Sequence, residues 1–220
     1  KKDQSGHFNS DLCLFLEALH DYRNFGAKAA QGLGVNPFLV KRVDETSRNL
    51  KKRFIKSLYQ KQRLSKEDRE QWEASPLNII EDLTGVVLGM AYTDRLAKRR
   101  NQNTRRYHLL SGKGATLLNE DNQTPHDFLA IGELRKKGKD FSITVSARVK
   151  EGQIQKYFGD YVKRVRETSW DQSEKIVTAF EYEKLGAITL KRYFVKDIGE
   201  EEKRTIFSSF CFLLCCYYII

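Results

Sequence analysis

The sequence predicts an α+β chain in three successive parts: amphipathic helices, then a small β-barrel, then a mixed α/β C-terminal region. Three observations carry this reading. Apolar residues recur at helical spacing up to about Tyr92, the period switches to two between Tyr107 and Val149, and helical and strand patterns alternate after Glu151. With 220 residues, 40% hydrophobic and 31% charged, the chain has the profile of a soluble globular protein with apolar material enough for a core.

Leu12, Phe15, Leu16 and Leu19 fall three and four apart, which predicts a helix from Asp11 to about Tyr22 with Ser10 or Asn9 as its N-cap. Gly26, Gly32 and Gly34 then predict a loop. Asn36-Pro37 is a cap and first-turn signal, and behind it Leu39, Val43, Leu50, Phe54 and Leu58 keep a helical stripe. The stretch from Lys41 to Arg63 also holds nine positive charges, opposed only by Asp44 and Glu45. Leu64 to Ser75 is polar and reads as a short helix or connector. Ser75-Pro76 opens the next helix, with Leu77, Ile80, Leu83 and Val87 on its buried face.

After Tyr92 comes a basic cluster of Arg95, Lys98, Arg99, Arg100, Arg105 and Arg106. Tyr107 to Leu110 and Ala115 to Leu118 read as strands around a Ser111-Gly112-Lys113-Gly114 turn, followed by a longer strand from Phe128 to Leu134. Lys137-Gly138 separates that strand from Phe141, Ile143, Val145 and Ala147, which alternate with polar residues as in a hairpin. Short strands packed this closely predict a small barrel, with an OB-like fold as the natural candidate. Ile154, Tyr157, Phe158, Tyr161, Val162 and Val165 then form a helical stripe. Strands are predicted from Ile176 to Tyr182, entered through the Trp170-Asp171-Gln172-Ser173 turn, and from Ala187 to Val195. Glu200, Glu201 and Glu202 open a final helix, where negative charge suits the N-terminal dipole.

Thirty-nine Lys and Arg against 29 Asp and Glu give a formal charge of +10, which favours polyanionic partners: nucleic acid first, then an anionic membrane or an acidic protein. Three of the four cysteines, Cys211, Cys215 and Cys216, sit in the last ten residues, far from Cys13, so no framework of bridges is expected and a reducing cytoplasm is. Neither a signal-peptide series nor an apolar run of roughly 18 to 20 residues is present, so no membrane partner is expected. The only methionine is Met90, so the chain is expected to be a piece of something longer.

Catalytic and ligand motifs are missing. Gly112-Lys113 fails as a phosphate loop because Tyr107 replaces its first glycine and Gly114 its hydroxyl residue. His7, His20, His108 and His126 are scattered, and the clustered cysteines lack a plausible fourth ligand, so no metal is expected. With no nucleophile elbow or HExxH pattern either, no catalytic residue is assigned.

One block stands out: Ala91-Tyr92-Thr93-Asp94-Arg95-Leu96-Ala97-Lys98-Arg99-Arg100, then Arg106-Tyr107, Leu109, Gly112 and Gly114-Ala115. It resembles the C-terminal region of bacterial DExH-type ATP-dependent helicases of the HrpB type, which carry a similar Ala-Tyr-Pro-Asp-Arg-Ile-Ala-x-Arg-Arg segment at the entry to an OB-like fold. Thr93 stands where the family usually has proline. Trp170-Asp171, Ala179 and Leu185-Gly186-Ala187-Ile188-Thr189-Leu190 look like that family's Trp-Asp turn and Leu-Gly-x-Leu-x-Leu strand.

The resemblance covers about Leu77 to Phe210. It implies a helical ratchet-like segment over 1–75, a connecting helix and OB-like domain over 76–150, and a C-terminal α/β region over 151–210. The apolar 211–220 tail departs from the family; it is expected to be a truncation or out-of-frame end, with no function. The resemblance further implies that ATP and magnesium are handled only by RecA-like motor domains of a parent chain, so that no cofactor belongs to this one. Its expected partners are single-stranded nucleic acid, RNA or DNA, and those motor domains. Arg95, Lys98, Arg99, Arg100, Arg105, Arg106 and Lys113 are the candidate phosphate contacts, with Tyr107 or Tyr92 as a stacking surface. Competing readings make Arg95, Arg99 and Arg106 partners of Asp94, Glu133 or other acids, make Tyr107 a core strand residue, or make Gly152 to Val195 a protein-docking module with incidental charge.

Overall fold

A computed structural model of the chain describes residues 9–60, 65, 67, 77–137 and 140–208. The α+β expectation holds. Five strands close a barrel: β1 (Leu96–Arg99), β2 (Arg106–Leu109), β3 (Gly114–Leu117), β4 (Phe128–Lys137) and β5 (Asp140–Val149). Their order is β1-β2-β3-β5-β4, closed by antiparallel β1–β4 pairing, with a parallel contact between β3 and β5. This is the OB-like barrel that the period-two segments imply. β1 lacks that period because Leu96 and Ala97 are both buried, one on each wall of the barrel, so the sequence shows only its basic residues.

The lumen is filled by Tyr107, Leu109, Leu117, Leu129, Ile131 and Ile143. A second core lies on the outer wall, where Leu96, Phe128, Ala130 and Val149 meet Val86, Ile154, Phe158 and Leu185. Three register shifts interrupt the ladders. Gly132 of β4 and Thr144 of β5 are skipped where those strands pair, and Leu190 is skipped where β7 pairs with β8.

Helices α1 (Leu12–Phe25), α2 (Ala27–Gly32), α3 (Pro37–Gln60) and α4 (Leu77–Ala91) precede the barrel. The N-cap of α1 is Asp11, whose carboxylate accepts from the Cys13 amide at 3.0 Å, rather than Ser10 or Asn9. Ser10 is buried instead and joins the chain to the barrel: its hydroxyl donates to Gln123 Oε1 at 2.6 Å, and the Ser146 hydroxyl donates to the same oxygen at 2.7 Å. The predicted loop from Gly26 to Gly34 contains α2. Asn36 caps α3 as expected, accepting from the Phe38 amide at 3.0 Å.

The α3 stripe is less buried than expected. Leu39, Val43, Leu50 and Phe54 are exposed, while Val40 and Asp44 are buried. Asp44 is held from both sides, by Arg23 of α1 on one carboxylate oxygen at 2.6 Å and by Arg48 on the other at 2.9 Å. Burial alone would raise the Asp44 pKa; the two guanidinium hydrogen bonds outweigh it and hold the carboxyl below its ordinary range.

In α4, Leu83 packs on the outer-wall core but Val87 is exposed, and Thr84, Gly85, Val86 and Gly89 make the contact face. Small residues share the contact face because the helix lies on backbone: a Cβ on Gly85 would stand 1.9 Å from the Arg148 carbonyl oxygen. The side chains of Leu58, Leu77 and Ile80, and most of the Leu64 to Ser75 connector, lie outside the described residues. So do the Ser75-Pro76 cap, Gly138 and the 211–220 tail.

After β5 come α5 (Glu151–Phe158), β6 (Val162–Asp171), β7 (Ile176–Leu185) and β8 (Ile188–Val195), and residues 200–208 are helical. The three strands form an antiparallel sheet in the order β6-β7-β8. The stripe read as one helix from Ile154 to Val165 is therefore two elements. The helix stops at Phe158, a 3-10 turn covers Gly159–Tyr161, and Val162 and Val165 sit on opposite faces of β6, paired with Leu185 and Tyr182. Short apolar runs satisfy both periods, and β-branched valines favour the strand.

The β7–β8 turn seats on the β2–β3 turn. Gly186 (φ +55°) has no room for a Cβ, which would lie 2.7 Å from Leu110 Cγ, and the Ala187 amide donates to the Leu110 carbonyl at 3.1 Å. Among the described residues no helix is long and apolar enough to cross a membrane. Gly85→Ala is expected to lower the urea midpoint: the clash is with fixed backbone, so overpacking of about 1–3 kcal/mol or more exceeds the helix-propensity gain of at most about 1 kcal/mol. An unchanged or raised midpoint would show that α4 is not seated on β5.

Candidate nucleic-acid interface

The barrel places the candidate cations in two groups. Arg95, Lys98, Arg99 and Arg105 are half-buried and turned inward onto carbonyl groups. Arg95 Nη1 donates to the bulge carbonyl of Gly132 at 2.9 Å, and its guanidinium stands 4.9 Å from the centre of the exposed Tyr92 ring. Lys98 Nζ donates to Thr189 and Leu190 carbonyls at 2.7 and 3.3 Å, at the β8 bulge. Arg99 donates to the Pro125 carbonyl at 3.0 Å and pairs with Asp127 at 2.8 Å. Arg105 Nη1 is shared between the Leu118 and Asp121 carbonyls at 2.8 and 2.9 Å. The partners are mainly backbone oxygens; the acid pairing that the sequence also allows occurs once, between Arg99 and Asp127.

Arg100, Arg106 and Lys113 form the second group. All three are exposed, and no acid pairs with them among the described residues. Arg106 projects from the outer face of β2 opposite Thr116 of β3, while Arg100 lies just beyond β1, its amide bonded to the Arg106 carbonyl at 2.9 Å. Together with Gly114 and Thr116 they border a polar hollow of about 130 Å³. Lys113, on the adjoining turn, places Nζ 5.9 Å from the centre of the Phe141 ring.

Tyr107 is not a stacking surface. Its ring is fully buried in the lumen and its hydroxyl donates to the His126 carbonyl at 2.8 Å. Burial pushes its phenol up to about 12, outweighing the Arg99 and Arg105 charges that pull it down. The loop that supplies Pro125, His126 and Asp127 to these bonds has no periodic pattern, so nothing in its sequence signals this role. Among the described residues no cluster of three His, Cys, Asp or Glu is placed to hold a metal.

The fold and this face define an α+β chain built on a five-stranded OB-like barrel with an open cationic face. Among solved structures, the chain is similar to part of the E. coli DExH-box NTPase HrpB, with 26% identity and a TM-score of 0.48 over 55% of this chain and 15% of that one. A second crystal structure, described as the Escherichia coli DEAH/RHA helicase HrpB, gives 24% identity and a TM-score of 0.45 over 56% and 15%. The chain thus spans about 15% of the length of those proteins. An overlap this partial decides neither fold nor function, which rest on the chain's own strands and side chains. No family model and no curated protein matches the sequence.

The two groups of cations should separate by stability. Arg105→Met removes a charged donor from two carbonyls and should cost about 1.5–3 kcal/mol, whereas Arg100→Met should stay within about 0.5 kcal/mol of the parent in urea unfolding. Equal effects would refute the division. Tyr107 predicts a pH dependence of definite sign. The folded state holds the phenolic proton more tightly than the unfolded chain, so this contribution is complete below about pH 10 and is lost as the pH rises towards about 12. Tyr107→Phe should flatten that part of the decline in urea midpoint, and parallel declines in the two proteins would show that the phenol is not responsible.

Proposed function

We propose that this chain is the non-catalytic C-terminal part of an HrpB-like ATP-dependent helicase and that it contributes contacts to single-stranded nucleic acid, RNA or DNA. ATP and magnesium chemistry belongs, in this reading, to RecA-like motor domains outside the chain, and the cysteine usage favours a cytoplasmic setting. The observation that carries the nucleic-acid role is the open outer face of β2 and β3, where Arg100 and Arg106 border a polar hollow, with Lys113 exposed on the adjoining turn, and no acid pairs with any of the three among the described residues. OB-type barrels take oligonucleotides on this strand face and its adjoining loops. Arg95, Lys98, Arg99 and Arg105 add to the attracting field while their guanidinium and ammonium groups stay bonded to backbone.

A protein partner is supported by a different feature. The exposed Leu39, Val43 and Leu50 of α3 line an apolar groove of about 520 Å³ against α1, for which the parent's motor domains are our candidate. The rival reading, a protein-interaction module with incidental charge, differs in its salt response. Reversing Arg100, Arg106 and Lys113 to glutamate should weaken oligonucleotide binding and lower the slope of log affinity against log salt by about 0.7 for each phosphate no longer neutralised. If the reversed protein keeps its circular dichroism, its affinity and its slope, the nucleic-acid reading of this face is wrong.

A further inference from the structure

The C-terminal sheet has two unlike faces. One is covered: Trp170 meets Phe207 of the last helix edge-on at 5.6 Å between ring centres, and Arg166 and Thr168 both bond Glu202. Cross-strand pairing puts Val165, Phe180, Tyr182, Arg192 and Phe194 on the other face. There Phe180 and Phe194 are direct partners with ring centres 5.4 Å apart, and Tyr182 lies 6.3 Å from Phe180. Phe194 is 57% exposed.

Each part of this aromatic row has a cation beside it. The Arg192 guanidinium stacks 3.5 Å from the centre of Phe180, Lys184 stands 5.0 Å from that of Tyr182, and Lys163 is exposed at the β6 position paired with Lys184. The acids on the face are already engaged. Glu167 is held by Lys184 at 2.5 Å, and Asp171 accepts the Ser173 and Glu174 amides of the following turn. Protein–protein interface cores are depleted in lysine, whereas aromatic rings alternating with cations on an open antiparallel sheet are what stacked bases and their phosphates require.

We propose that this face is a second platform for single-stranded nucleic acid, on which Phe194 and Tyr182 stack bases while Arg192 and Lys163 hold the neighbouring phosphates. It rests on the nucleic-acid reading of the chain and extends it to a surface with a different chemistry. The barrel face attracts backbone charge through cations alone; the sheet face distinguishes a strand with bases from one without.

That difference supplies the test. Fluorescence anisotropy would compare a labelled oligothymidylate about fifteen nucleotides long with an abasic strand of equal length, using the whole chain and its Phe194→Leu and Phe194→Tyr variants. Leucine keeps apolar bulk on the edge strand but has no π-face. The expected result is roughly 5- to 100-fold weaker oligothymidylate binding with leucine, no change in abasic binding or salt slope, and recovery with tyrosine. Arg192→Gln should weaken both strands and lower the salt slope. If Phe194→Leu binds oligothymidylate like the parent while reversal of Arg100, Arg106 and Lys113 still weakens it, the platform is refuted and the barrel reading stands. If the parent binds neither strand at low salt, both fall.

Discussion

The structure depends on satisfying carbonyl groups that a barrel of very short strands cannot pair by itself. β1, β2 and β3 have four residues each, so much of the barrel's backbone lies in connections and bulges outside the ladders. A buried carbonyl left without a donor costs about 1–3 kcal/mol, and several occur together here. The long cationic side chains at the strand ends meet that need. Arg95 reaches the β4 bulge, Arg99 the loop before β4 and Arg105 the loop after β3, while Lys98 does the same for the β8 bulge of the adjoining sheet.

This use of charge changes how the basic cluster is to be understood. In the sequence, Arg95, Lys98, Arg99, Arg100, Arg105 and Arg106 form a single run of positive residues. In the fold they divide, because Arg95, Lys98, Arg99 and Arg105 each lie within reach of a carbonyl from a bulge or loop while Arg100 and Arg106 stay exposed. The fixed cations still contribute their field, since a guanidinium bonded to a neutral oxygen keeps its charge. Arg99 is the exception, with Asp127 partly neutralising it.

The fold was legible where one face of an element is buried and the other wet. The alternation in β4 and β5, the Gly112 turn, the Asn36-Pro37 start of α3 and the acidic start of the last helix all follow from local rules. Misreadings arose where a long-range contact overrode the local pattern. The Arg23 and Arg48 clamp buries Asp44 on α3 while most of the stripe stays exposed, backbone packing at Gly85 leaves Val87 in solvent, and β6 takes over a run that also fits a helix. The candidate site was legible as a concentration of charge, but the division among its members depends on carbonyls from distant loops. Tyr107 illustrates the limit: a tyrosine beside arginines suits a base platform or a core equally well until the lumen encloses it.

The seat of Gly186 on Leu110 has a consequence for how such a chain can diversify. Besides the packing of Leu185 in the outer-wall core, the joint between barrel and sheet rests on one glycine, one turn carbonyl and the Lys98 ammonium, none of which belongs to the aromatic face of the sheet or the hollow of the barrel. Residues on those faces can change without loosening the joint, and the joint cannot accept even a methyl group at its centre without moving. Descendants of this architecture are therefore free to exchange what each face recognises while the geometry between the faces stays inherited.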